Sequence, residues 1–217
     1  MWDKIGVTAK DILFPIYCFG CSREGTWLCD PCFSALDTSG VFCCSARGAL
    51  SAEIALCQYE ETSPIGRLVR AYKYGYASEI AAVFRKFIVR FAAERGLWLE
   101  GFAVIVPVPL HPRRLAERGF NQALALAAML GETLGRPVAD ALARSRYTKP
   151  QARLSKEERH KNVADVFVGR HREAVTGRRV LLVDDIYSTG STLVAAAKAL
   201  RSAGAADIVG FTLARAV

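Results

Sequence analysis

The sequence contains no Gly-Lys dipeptide, and none of its 17 glycines lies two positions from another. A Walker-A phosphate loop needs the first feature, because its lysine follows the turn glycine onto the phosphates. A dinucleotide-binding G-x-G fingerprint needs the second. Neither of these two nucleotide-binding loops is therefore present. No run of 18 apolar residues occurs, so no membrane-spanning helix is expected. The opening Met1-Trp2-Asp3-Lys4-Ile5 is broken by charge, unlike a secretory leader, and the expected location is cytoplasmic. Internal repeats and low-complexity tracts are also missing.

What remains is a chain of 217 residues, 52% hydrophobic, enough for one medium domain with a full core and a small appendage. The formal charge of +8 favours phosphate-rich partners without selecting among them. Six of the seven cysteines fall between residues 18 and 44. Cys18-x2-Cys21 and Cys29-x2-Cys32 are two knuckle pairs separated by seven residues. In a reducing compartment this spacing favours one structural, tetrahedral zinc over a pair of disulfides, which would need an oxidising environment. Cys44-Ser45-Ala46-Arg47-Gly48 looks like a further knuckle in which Arg47 replaces the second thiol. A second zinc is accordingly not expected; Cys43 and Cys44 are left as spare ligands, and Cys57 reads as a core residue.

From Ala52 the composition changes. Apolar periodicity predicts strands over 52–60, 102–106, 138–144, 163–168, 179–183 and 207–213. It predicts helices over 64–72, 78–95, 121–134, with Asn121 as a cap, and 193–201. Strands alternating with helices imply a mainly parallel sheet flanked by helices.

The central stretch runs from Val180 to Thr192. Val180-Leu181-Leu182-Val183 reads as a strand covered on both faces. Asp184 and Asp185 then fall at its carboxyl end, where open α/β sheets bind ligands. Ser188, Thr189, Gly190, Ser191 and Thr192 offer hydroxyls and a glycine, so backbone N–H groups can close around a phosphate at a helix start. An ordinary strand–loop–helix of some nucleotide-binding sheet is the plainer alternative. Four apolar residues, two acidic ones and a Thr/Ser/Gly loop closely resemble the phosphoribosyl pyrophosphate (PRPP) loop of type I phosphoribosyltransferases.

Two further stretches carry chemistry. In Val106-Pro107-Val108-Pro109-Leu110-His111-Pro112, followed by Arg113, Arg114 and Arg118, the arginines can meet a pyrophosphate through paired donors. His111 reads as a capping or loop histidine before it reads as a general acid. Residues 147–162 are long, polar and basic, with Lys149, Gln151, Arg153 and Arg159, the profile of an active-site lid or of a solvated surface.

Together these stretches resemble the ComF family, zinc-ribbon phosphoribosyltransferase-like proteins associated with bacterial competence. The likeness rests on the four-cysteine ribbon, Tyr72-Lys73-Tyr74-Gly75, Pro107-Val108-Pro109-Leu110, Arg118-Gly119-Phe120-Asn121-Gln122, the pattern Gln151, Leu154, Arg159 and Asn162, and the PRPP loop. The sequence departs from it at Arg47 and at Cys43-Cys44. The resemblance implies an α/β type I phosphoribosyltransferase fold over 51–217. Residues 1–50 would precede it, with an N-terminal helix and a four-cysteine zinc ribbon on Cys18, Cys21, Cys29 and Cys32. It implies PRPP, or a related phosphorylated ribose, bound with Mg²⁺. Asp184 and Asp185 would serve the ribose hydroxyls and the metal, and residues 188–192 the 5′-phosphate. The 107–114 turn would face the pyrophosphate, and the 147–162 lid would exclude water. The implied reaction is pentosyl transfer: a nucleophile attacks ribose C1 and pyrophosphate leaves. Three functions stay open at this point: an active phosphoribosyltransferase with unknown acceptor, a non-catalytic PRPP or nucleotide sensor, and a competence factor that handles single-stranded DNA or meets a competence helicase.

Overall fold

Short apolar runs that recur between amphipathic helices have one economical arrangement, a sheet with helices on both faces, and the computed structural model has it. Residues 15–37, 40–43, 47–73, 77–146 and 166–216 are described. The main sheet contains β1 (Val41–Cys43), β2 (Ala52–Tyr59), β3 (Val104–Pro107), β6 (Arg179–Tyr187) and β7 (Asp207–Ala216), in the order β1-β2-β7-β6-β3. Four of these strands are mutually parallel; β1 alone runs antiparallel, against β2. β4 (Leu142–Arg144) and β5 (Phe167–Gly169) form a separate antiparallel pair. Among the described residues the α-helices are α1 (Asp30–Ala35), α2 (Pro64–Lys73), α3 (Ala77–Arg95), α4 (Pro112–Arg118), α5 (Gln122–Leu134) and α6 (Ser191–Ser202).

Strand alternation divides the core into two layers. Leu181, Val183, Val209, Phe211 and Leu213 pack with Phe84, Phe87, Ile88, Phe91 and Leu126 of α3 and α5. Val180, Leu182, Val104 and Val106 pack on the other face with Leu193, Ala196, Ala197 and Leu200 of α6 and with Leu142 and Phe167.

Several elements depart from the sequence reading. β6 does not stop at Val183, because β7 pairs with it beyond the apolar run, through Asp184↔Thr212, Ile186↔Ala214 and Tyr187↔Arg215. Asp184 and Asp185 are thus within the strand, and the helix start moves to Ser191. The turn expected over 107–114 contains a helix from Pro112, with proline in its first turn and His111 Nδ1 accepting from Arg113 N at 3.2 Å. His111 is a cap. The expected strands 138–144 and 163–168 are reduced to β4 and β5; Val163 and the expected N-terminal helix fall outside the described residues.

The ribbon packs on α2 and α3. Arg67 lies 4.7 Å over the Phe19 ring and donates to Phe19 O at 3.1 Å. Trp27 Nε1 donates to Glu79 Oε2 at 2.8 Å, and the Phe33 and Phe87 rings are 4.8 Å apart. Cys18, Leu28 and Cys29 share one apolar cluster with the strands.

Candidate functional site

The sulfurs of Cys18, Cys21, Cys29 and Cys32 lie within 4.8 Å of one another. Cys29 Sγ is 3.6 Å from both Cys18 Sγ and Cys21 Sγ. A tetrahedral ion with metal–sulfur bonds of ~2.3 Å needs sulfurs ~3.8 Å apart, so the cage fits a closed site. The knuckle turns are tight. A Cβ on Gly20 would lie 2.7 Å from Cys32 Sγ, so only glycine fits there without displacement. Burial alone would raise the Cys18 thiol, yet the N–H groups of Cys29, Cys21 and Gly20 stabilise its thiolate and bring it down to about 6. Cys32 is pushed up to about 12 by its thiol neighbours, first Cys29 and then Cys21. Four sulfurs cannot all carry charge side by side without a cation between them. The cluster can hold a metal ion.

The second site lies where β6 outruns β3. The last pair between them is Pro107↔Val183, closed by Val108 N donating to Val183 O at 2.8 Å. Beyond it, among the described residues, β6 has a strand partner only in β7. Asp184 and Asp185 occupy this half-open edge. By alternation Asp184 continues the face of Leu182, and Asp185 that of Val183. Each side is met by a cation. Lys73 Nζ, from the end of α2, is 2.9 Å from Asp185 Oδ2, with 20% and 16% of the two side chains exposed. Arg144, from β4, is mostly buried; burial and the charge of Arg114 lower its pKa, while Asp184 opposes them.

Burial and the neighbouring Asp185 push Asp184 up to about 7, against the pull of Asp185 N, Lys73 and Arg144. Asp184 Oδ1 accepts from Asp185 N at 2.9 Å, and Asp185 Oδ1 from Ile186 N at 2.7 Å. A carboxyl that resists ionisation even with these donors and cations beside it marks a site that favours further cations or hydroxyl donors.

The small-residue loop follows at once. Gly190, with φ +75°, takes the N-cap position of α6. Thr189 Oγ1 and Ser191 Oγ are 2.7 Å apart, and Ser191 N donates to Thr189 Oγ1 at 3.4 Å. Ser188 is exposed; Ser191 is buried and Thr192 half-buried in the first turn of the helix. Of the three arginines singled out near α4, Arg114 is near enough to Arg144 to perturb it. Arg113 Nε is 3.4 Å from Glu117, and Arg118 Nη1 donates to Gln122 Oε1 at 3.0 Å, so both have partners four residues on, the second at the start of α5. Lys149, Gln151, Arg153 and Arg159, with Cys44, lie outside the described residues. The sequence reading gives neither Lys73 nor Arg144 a role at the site. Lys73 falls in the Tyr72-Lys73-Tyr74-Gly75 segment that supports the resemblance, with no role attached to it there, and Arg144 is the last residue of a short strand.

A parallel sheet with an acidic pair and a hydroxyl-rich helix start at one strand end defines a phosphoribosyltransferase-type domain, and the family model "Phosphoribosyl transferase domain" matches residues 115–215. The chain is 35% identical over 157 residues to the DNA utilization protein YhgH of Salmonella typhimurium, covering 71% of this chain and 68% of that protein. It is 40% identical over 113 residues to competence protein ComFC of Bacillus subtilis, covering 52% of this chain and 44% of the relative. It is 39% identical over 114 residues to competence protein F of Haemophilus influenzae, covering 52% and 50%. The chain belongs to the ComF family of the phosphoribosyltransferase superfamily. No described helix is long and apolar enough to cross a membrane.

Proposed function

We propose that the protein binds PRPP with Mg²⁺ at the β6 edge and that its cysteine cage holds one structural zinc. The observation that carries the first reading is the juxtaposition of Asp184 and Asp185 with Lys73, Arg144 and the 188–190 loop. A phosphorylated ribose has a diol for acidic acceptors, a 5′-phosphate for a helix start and a pyrophosphate for guanidinium groups. The carboxylate pair is also a fitting donor set for Mg²⁺, a hard cation that takes oxygen ligands. When bound, such an ion would neutralise charge on the pyrophosphate. The chain's own contribution is to offer the carboxylates at the strand edge to the ribose hydroxyls and to place Arg144 and Arg114 against the departing anion. Transfer of phosphoribose to an acceptor is the reaction this arrangement supports.

Titration with PRPP and Mg²⁺ is the test. The paired change Asp184→Asn and Asp185→Asn should cost about 1.5–3 kcal/mol in binding, roughly tenfold or more in affinity. An unchanged affinity in that variant would show that the carboxylates are not the sugar clamp. A second reading is favoured by the names of the relatives, which place them in DNA utilization and competence. On it, the ligand-bound protein serves the handling of incoming single-stranded DNA. The basic stretch 144–179, with 11 Lys/Arg against 4 Asp/Glu, supplies the charge for that contact.

A further inference from the structure

Arg47 stands where a knuckle thiol would follow Cys44, and Tyr187 closes β6; neither belongs to the sulfur cage or to the carboxylate pair. They nevertheless meet. Arg47 Nη1 donates to Tyr187 Oη at 2.9 Å across 140 residues of sequence. Tyr187 is 4% exposed. The Arg215 guanidinium covers its ring at 4.7 Å from the centroid, and Arg215 Nη1 donates to Glu53 Oε2 at 3.0 Å. Glu53 is itself 4% exposed, an uncommon place for a carboxylate unless it is anchoring something. The ring also supports the phosphate loop. A Cβ on Gly190 would come within 2.6 Å of Tyr187 Cζ, so the turn residue at the start of α6 rests directly on the aromatic side chain.

We propose that Arg47 is a positioning residue for the phosphate loop. By holding Tyr187 Oη, it fixes the floor on which Gly190 and the first turn of α6 are set, and so tunes affinity for the 5′-phosphate. The ligand in this inference rests on the PRPP reading; the strut itself does not. Burial, and then Glu53, push the Tyr187 hydroxyl up to about 12, so it stays un-ionised and acts mechanically, not as a charge. Arg47 supplies the tether from the segment that carries Cys43 and Cys44. The arginine that removes a metal ligand from that segment thereby joins it to the loop.

The test uses the full chain and four variants: Arg47→Ala, Arg47→Lys, Tyr187→Phe and the double change Arg47→Ala with Tyr187→Phe. Hydrogen exchange of the ligand-free protein reads the strut directly. Amides 188–193 should exchange about three- to tenfold faster in Arg47→Ala and Tyr187→Phe, the factor carried by one net hydrogen bond, while α3 keeps its protection. Arg47→Lys should recover part of that protection. The double variant should be no worse than Tyr187→Phe alone, because that change already removes the Arg47 contact together with the contact to Glu53. Unchanged exchange at 188–193, or additive effects in the double variant, would overturn the strut whether or not PRPP binds. Titration with PRPP and Mg²⁺ then reads the consequence, an affinity about three- to tenfold lower in Arg47→Ala. Altered exchange with wild-type PRPP affinity would overturn the link to the phosphate. If the wild-type protein itself fails to bind PRPP, the PRPP reading falls and the proposed tuning of affinity falls with it; the exchange data then decide the strut alone.

Discussion

Asp184→Asn should make the ligand-free protein more stable at alkaline pH while it weakens PRPP binding. The folded environment raises the Asp184 carboxyl from its ordinary 3.8 to about 7, through burial first and Asp185 second. An acid with a raised folded pKa holds its proton more tightly when folded. Its contribution to stability is therefore lost as pH rises from about 4 through about 7, where the native state must accept the charge. Asparagine carries no such charge. At about 1.4 kcal/mol per pKa unit the full shift would set an upper bound of about 4 kcal/mol. Asp184 is half-buried with Lys73 and Arg144 near it, so about 1–2 kcal/mol is the working figure. For a chain of this size that corresponds to a melting-temperature gap of roughly 2–8 °C. Thermal melts of both proteins from pH 4.5 to 8 would show the gap opening with pH and levelling off above 7. Asp185→Asn, which strands Lys73, should show no such gain. A gap that is flat with pH, or that closes as pH rises, would refute the electrostatic account of the carboxylate pair.

Elemental analysis should find one zinc per chain. Cys29→Ser and Gly20→Ala should both lower it, the second through the 2.7 Å approach to Cys32 Sγ, whereas Cys44→Ser should not; two zinc ions per chain would contradict the reading of Arg47. Lys149→Ala with Arg153→Ala should weaken PRPP binding more than single-stranded DNA binding. Tight DNA affinity abolished by that same pair, with log K falling by about 0.7 per phosphate against log salt, would move those side chains to a DNA track.

Most of the scaffold was legible because its signals are local. The Asn121 side chain accepts from Ala123 N at 3.1 Å as a cap should, and the helices over 64–72 and 78–95 appear within a residue or so of their expected ends. What the sequence withheld was long-range. β6 continues past its apolar run only because β7 offers partners 28 residues away, as in Asp184↔Thr212. The residues from Pro107 to Arg114 read as a turn. Proline in the first turn and the histidine cap instead start a helix, which pairs Arg113 with Glu117 one turn on. Lys73, Arg144 and Tyr187 gain their meaning from neighbours brought by other elements, Asp185, Asp184 and Arg47, which lie far from them in sequence.

The three-residue strand β1 has a consequence for dissecting this protein. A parallel sheet ends in a row of unsatisfied N–H and C=O groups, and β1 covers that row along β2 through Val41↔Ala55, Phe42↔Ile54 and Cys43↔Glu53. A fragment cut to begin at residue 51 would therefore lose more than the cysteine cluster. It would bare the edge of β2 (Ala52–Tyr59) at Glu53, Ile54 and Ala55, in a strand whose first six residues are buried in the intact chain. Such an edge recruits a second copy of itself, and that fragment should self-associate through β2. Work on the phosphoribosyltransferase-type half in isolation would then report on an aggregate, whereas a cut placed ahead of Gly40 would leave the guard strand in place.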